Sequence, residues 1–140
     1  MLQDLIKAGY GIDEDLNCAE TILYGANIAY QLGFDPEDLK VAAGFGGGMA
    51  IESVCGALTA GIMVLGRLCV KEKAHESSRI KELTQELFDA YTKEMGSIYC
   101  APLKAAHRTE EIKCRMVVLT AARILDQMVE RENEAASVNE

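Results

Sequence analysis

Gly44-Phe45-Gly46-Gly47-Gly48-Met49-Ala50-Ile51-Glu52-Ser53-Val54-Cys55-Gly56-Ala57 is a glycine-rich segment running into a cysteine at the head of an apolar helix. Glycines at 44, 46, 47 and 48 permit positive φ angles and close backbone approach, leaving N–H groups free to surround something that a longer side chain would exclude. From residue 55 to 70 the pattern is helical, with Leu58, Ile62, Leu65 and Cys69 on one stripe and Met63 and Leu68 off it. Apolarity on all sides predicts a central, enclosed helix. A thiol in the first turn of a helix meets unpaired N–H groups and the positive end of the dipole, which favours the thiolate. Cys55 is therefore the first candidate for chemistry. Set against this, free cysteine is among the most buried residue types, and a glycine-rich turn often only turns.

Outward from this centre, the other helices announce themselves by caps and stripes. Residues 2–9 suit a short first helix closed by Gly9 and Gly11. Asn17, with Glu20 three residues later, reads as a capping box for a helix over 18–32, its core face carrying Ile22, Ala26, Ala29 and Leu32. Asp35-Pro36-Glu37 is a further helix start, ended at Gly44. A helix over 79–94 shows Ile80, Leu83, Leu87 and Tyr91 on one stripe, and Gly96 stops it. Residues 97–109 read as a loop, with a short helical turn at 103–107, in which Cys100 is free to aim. A last helix over 111–131 carries Met116, Leu119, Ile124 and Met128, and an acidic tail from Asn133 onward reads as frayed.

A chain of 140 residues suits one domain, 1–140, with one core. The absence of tryptophan and the two prolines, beside abundant Ala, Leu, Glu and Lys, point to an all-α, single-domain compact bundle of about five helices with the glycine-rich loop before its central apolar helix. Net charge is −8 with no Lys/Arg cluster, which excludes affinity for a phosphate backbone and hence nucleic acid as partner. The longest apolar run, 54–66, is stopped by Arg67 short of the ~20 residues that span a bilayer, so no membrane insertion is expected. The first residues lack a basic region, apolar stretch and cleavage site, so a cytoplasmic chain without a signal peptide is expected.

Five cysteines in such a compartment serve as metal ligands or redox thiols sooner than as structural disulfides. Cys18, Cys55 and Cys114 fall at or near predicted helix starts, and Cys100 lies shortly before the last helix. Four thiolates brought together repel one another, so a site holding them needs metal charge, helix N-termini or N–H donors as compensation. Cys69 is separated from Cys55 by ~21 Å along a continuous helix and cannot share a centre with it. It belongs to the core.

Other chemistries find little support. No Cys-x-x-Cys occurs, which removes short-spaced zinc fingers, ferredoxin runs and covalent haem. Neither a Walker lysine nor a dinucleotide pattern follows the glycines, and there is no Gly-x-Ser-x-Gly. His75 and His107 read as solvated polar residues, and nothing in the sequence brings His107 to Cys55. The methionines sit at core positions.

Taken together, Asn17-Cys18-Ala19-Glu20, Gly44-Phe45-Gly46-Gly47-Gly48, Cys55-Gly56-Ala57, Tyr99-Cys100 and Cys114 resemble a redox-active four-cysteine protein family named for a C…CGAxxG…C…C pattern. The resemblance spans nearly the whole chain and implies that Cys18, Cys55, Cys100 and Cys114 are the functional set, with Cys69 outside it. One departure is that Ala60 stands at the motif's last glycine, and Gly61 follows.

Several functions remain open at this point. The first is electron transfer by an iron–sulfur cluster of unspecified type, ligated by Cys18, Cys55, Cys100 and Cys114, with Gly46, Gly47, Gly48 and Gly56 as the backbone positions that contact the cofactor. A cofactor-free thiol–disulfide protein is the second, with Cys55 as low-pKa nucleophile and another of the set resolving it. The third is a four-cysteine zinc site in a structural interaction module. An assembly subunit with merely buried thiols, a homodimer through an apolar helix face, is the fourth. The redox partner protein is not specified by the sequence.

Overall fold

Asn17 fixes the start of the first long helix by the expected box: its side-chain oxygen accepts from Glu20 N at 2.9 Å, and Glu20 accepts from Asn17 N at 3.0 Å. In the computed structural model, which describes residues 1–138, this helix is α2 (Cys18–Ala29). It follows α1 (Leu2–Lys7) and precedes the single turn α3 (Pro36–Leu39). A 3₁₀ turn over Lys40–Phe45 leads to the glycine segment and then to α4 (Gly56–Cys69). After a 3₁₀ turn at Ala74–Glu76 come α5 (Arg79–Met95), α6 (Cys100–His107) and α7 (Arg115–Val138). The described residues contain no strand, only isolated bridges pairing Val54 with Tyr99 and Thr109 with Lys113. The all-α class is as expected.

Helix α4 is the enclosed element that its composition predicted. It packs against α2, α5 and α7, and Ala57, Leu58, Ala60, Val64 and Leu65 are wholly buried. At Gly61 the missing side chain lets Leu87 of α5 and Leu125 of α7 close on the helix. Around it, Ile22, Leu23 and Ala26 of α2, Leu83, Leu87 and Tyr91 of α5, and Ala121, Ala122 and Leu125 of α7 complete one core. Tyr91 is wholly buried and its hydroxyl donates to the Val117 carbonyl at 3.1 Å, so its polar end is satisfied.

Four expectations about boundaries require correction. The helix expected over 18–32 ends at Ala29, because Gln31 turns left-handed and the Asn27 side chain bonds both N and O of Phe34. Residues 100–107 are not a loop with a turn but helix α6: Pro102 sits in its first turn, where a missing N–H costs nothing. The last helix begins at Arg115 rather than residue 111, because Thr109 and Lys113 bond to each other and close a turn with Lys113 at φ 51°. It also runs through the segment from Asn133 expected to fray, reaching Val138. Arg79 grips Glu132 at 2.7 and 2.8 Å and Arg131 grips Glu86 at 2.7 and 2.9 Å, two forked ion pairs that fasten this end of α7 to α5. Residues 139–140 of the tail lie outside the described residues. Among the described residues, seven α-helices thus replace about five.

Asp126 in α7 joins three helices. Its Oδ1 accepts from Leu2 N at 2.9 Å and from the Tyr30 hydroxyl at 2.6 Å, and its Oδ2 accepts from Gln3 N at 2.9 Å. Burial, reinforced by Asp126, holds the Tyr30 phenol above its ordinary value, so it stays a donor. Asp126→Ala leaves two N–H groups of α1 and this hydroxyl without an acceptor. We expect a loss of about 2–3 kcal/mol in urea denaturation, with Asp126→Asn losing less; an unchanged midpoint in Asp126→Ala would contradict the assignment.

Candidate functional site

Four helix starts converge on one cavity of about 750 Å³, and each carries one cysteine. Cys18 is the first residue of α2, Cys55 is the N-cap of α4, Cys100 is the first residue of α6, and Cys114 immediately precedes α7. All four line the cavity. Cys55 and Cys100 are the least accessible of these residues, 4 % and 7 % exposed, while Cys18 and Cys114 are of intermediate exposure. Cys69 does not line it; it sits at the far end of α4 near Glu132 and Arg79, its thiol pushed up by burial.

The glycine segment is what brings these starts together. Asn17, besides capping α2, donates from Nδ2 to the Ala43 carbonyl at 3.0 Å and lies against Gly46, where a Cβ would stand 2.4 Å from its amide. The chain then turns left-handed: Gly47, Gly48, Met49 and Ala50 all have φ of 60–64°, and Glu52 has 57°. At the three non-glycine positions such a backbone costs roughly 1–2 kcal/mol each. The turn places the Gly47 N–H at the Cys18 sulfur and Gly48 against Cys100, where a Cβ would fall 2.7 Å from that of the cysteine.

Gly56 is the tightest approach to a sulfur. A Cβ there would be 2.8 Å from Cys18 Sγ and 2.6 Å from the Phe45 carbonyl oxygen. A second clip binds the opposite wall: Cys55 N donates to Ile98 O at 2.8 Å, and Cys100 N donates to Ser53 O at 2.6 Å. Cys100, expected to be free to aim, is instead held by this pair of main-chain bonds.

Electrostatics single out Cys18 rather than Cys55. The Cys55 thiol directed at it is the largest influence, followed by N–H groups of Gly47, Ala19 and Gly56; together these outweigh burial and bring the Cys18 thiol down to about 6. Cys55 moves the other way, because its proton is retained by the Cys18 sulfur and burial penalises a second charge. The helix start at Cys55 was expected to make it the acidic thiol. N–H groups of Ala57 and Leu58 in that helix do act to lower it, but the Cys18 sulfur and burial outweigh them.

Burial pushes Cys100 and Cys114 up, with Lys104 acting against it at both and Arg108 also at Cys114. Lys104 of α6 and Arg108, the extended residue that ends it, line the cavity; neither was singled out by sequence, because a lysine and an arginine four residues apart are an ordinary solvated pattern. Of the glycines expected to contact a cofactor, Gly47 and Gly56 direct N–H groups at Cys18, while Gly46 and Gly48 act by admitting Asn17 and Cys100. His75 lies in the Ala74–Glu76 turn, and His107 closes α6 outside the cavity lining with Nε2 buried and unpartnered among the described residues.

Residues 16–128 match the family described as "Putative redox-active protein (C_GCAxxG_C_C)". The four-cysteine order of that description is met by Cys18, Cys55, Cys100 and Cys114; the pattern expected around the second cysteine, Cys-Gly-Ala, is corrected to Gly-Cys-Ala, against which this chain has Val54 at the glycine, Gly56 at the alanine and Thr59 at the last glycine. Comparison with curated proteins and with solved structures gives no match.

Two outcomes follow from this geometry. Gly56→Ala forces the Phe45 carbonyl or the Cys18 sulfur aside and is expected to cost about 1–3 kcal/mol, whereas Gly66→Ala, with open space at its Cβ, gains about 0.5–1 kcal/mol as a helix-interior glycine replacement; equal effects in thermal melts would contradict the close approach. In metal-free protein, the lowered value of Cys18 means that its thiolate persists at neutral pH and is lost as pH falls through about 6. Alkylation at Cys18, followed by mass spectrometry of the peptide, should therefore fall off below that pH, and labelling at Cys69 should need alkaline pH. A Cys18 profile centred near the ordinary thiol value would overturn the assignment.

Proposed function

The chain belongs to this redox-active cysteine family, and on that premise we propose that it is an electron-transfer protein in which Cys18, Cys55, Cys100 and Cys114 hold an iron–sulfur cluster, working in the reducing cytoplasm. The observation that supports this reading is the convergence of four helix starts, each bearing one thiol, on one cavity. The positive ends of the helices, together with Lys104 and Arg108, offset the charge of four thiolates. Among the described residues, no three His, Cys, Asp or Glu side chains come together closely enough to hold a single metal ion. Four thiolates are the donor set that iron–sulfur clusters take. Bound there, the cluster would supply the one-electron carrier.

The chain's own residues do the rest. Gly47 and Gly56 turn N–H groups toward Cys18, which stabilises negative charge on that sulfur and tunes the centre toward its reduced or oxidised form through the same donors. Cys55 and Cys100, the least accessible of the four and clipped together through Ile98 and Ser53, limit the access of water to their sulfurs. Half-buried Cys18 and Cys114 lie on the side through which a redox partner would approach.

A second reading is favoured by the Cys55 thiol facing the acidified Cys18. In a cofactor-free protein Cys18 would attack one sulfur of a small disulfide, releasing the other as thiolate, and Cys55 would then displace the bound half to leave a Cys18–Cys55 disulfide and a second free thiol. Two electrons pass from the protein pair to the substrate.

The separating experiment is anaerobic reconstitution with iron and sulfide, followed by metal and sulfide analysis and a visible spectrum. Wild type and Cys69→Ser should retain iron, sulfide and the visible band, and Cys55→Ser should lose them. Zinc alone, or no metal with a reversible Cys18–Cys55 disulfide by mass spectrometry, would contradict the cluster.

A further inference from the structure

We propose that the outer half of the cysteine cavity is a binding site for a small organic anion with an apolar body. The cavity's volume of about 750 Å³ lies within the range of small-molecule pockets, roughly 300–1,000 Å³. Exposure marks its mouth: Ile12 and Ile112, which line it, are 64 % and 44 % exposed, against 4 % and 7 % for Cys55 and Cys100. These isoleucines come from two separate turns, and two exposed apolar side chains on one mouth offer a slot for an apolar body.

The charge of the lining runs against that of the chain. Net charge overall is −8, yet the cavity is lined by Lys104, Arg108, Lys113 and Arg115 against only Asp15 and Glu111, a positive surplus of two. Arg115 is committed, since its guanidinium donates to the Tyr10 and Ile6 carbonyls. Lys104 leans on Glu52 at 3.6 Å. Arg108 and Lys113 form no ion pair among the described residues. Arg108 is set against the Cys114 thiol, and among the described residues its guanidinium forms no ion pair, so its fork can take a carboxylate, sulfonate or phosphate. An anionic group on Arg108 and Lys113, with an apolar body against Ile12 and Ile112, would share the cavity with Cys114. The consequence for function, that the centre serves a small molecule, rests on the redox reading; the binding does not.

The test uses the full metal-free chain and two fluorescent probes, anilinonaphthalene sulfonate and its uncharged parent phenylnaphthylamine. Arg108→Gln should weaken the sulfonate about tenfold and leave the neutral amine unchanged. Ile112→Asp should weaken both, and Lys81→Gln, remote from the cavity, should change neither. Cys69→Ser, outside the cavity, should keep both affinities, and because the chain carries no metal here, metal binding and anion binding are read separately. Thermal melts of each variant guard against probe uptake by unfolded chain. Equal sulfonate affinity in wild type and Arg108→Gln, or no saturable binding by the folded wild type, would overturn the proposal.

Discussion

The bare Cα of residue 56 is the constraint on which the site depends. Only without a side chain there can the Cys18 sulfur and the Phe45 carbonyl both reach the first turn of α4. That contact locks the start of α2 to the start of α4 and draws the left-handed turn over them. Asn17 reinforces the same junction by capping α2 and bonding the chain before the turn. The backbone strain at Met49, Ala50 and Glu52 is sustained by these surroundings and sits where the chain passes between Cys18 and Cys100.

Helix α4 has two roles that reinforce each other. Its body is the hydrophobic centre against which α2, α5 and α7 pack, so its position is fixed by the whole core. Its head therefore presents Cys55 and the Gly56 N–H from a rigid element, which preorganises the donors before any charge arrives. The clip between residues 53–55 and 98–100 extends that rigidity to α6. Cys114 is the most loosely placed of the four, at the end of a turn over 109–113 and beside exposed Arg108. The cavity is thus firm at its back and open on the side of α6 and the following turn.

Much of this was legible in the sequence. The capping box at Asn17 and Glu20, the enclosed character of α4, and the exclusion of Cys69 follow from local pattern and helix rise, which tertiary packing does not alter. What local pattern could not show was where distant N–H groups meet. Cys55 heads a helix whose Ala57 and Leu58 N–H groups reach it, but the Cys18 sulfur and burial outweigh them, and the donors at Cys18 include Gly47 and Gly56 arriving from elsewhere. Residues 97–109 read as a loop because Pro102 stands in them, although a proline in a first helical turn breaks nothing. The start of the last helix at 111 was set by local pattern, and the Thr109–Lys113 pairing closes a separate turn there. Left-handed Met49 and Ala50 carry no compositional signal at all.

The central claim is that Cys18, Cys55, Cys100 and Cys114 surround one redox centre. Its most direct test is an anomalous difference map at the iron absorption edge, from crystals of reconstituted protein grown without oxygen. The account predicts a peak inside the cavity, bonded to these four sulfurs and remote from Cys69. An empty cavity with Cys18 joined to Cys55, or iron held by any other set of side chains, would contradict it.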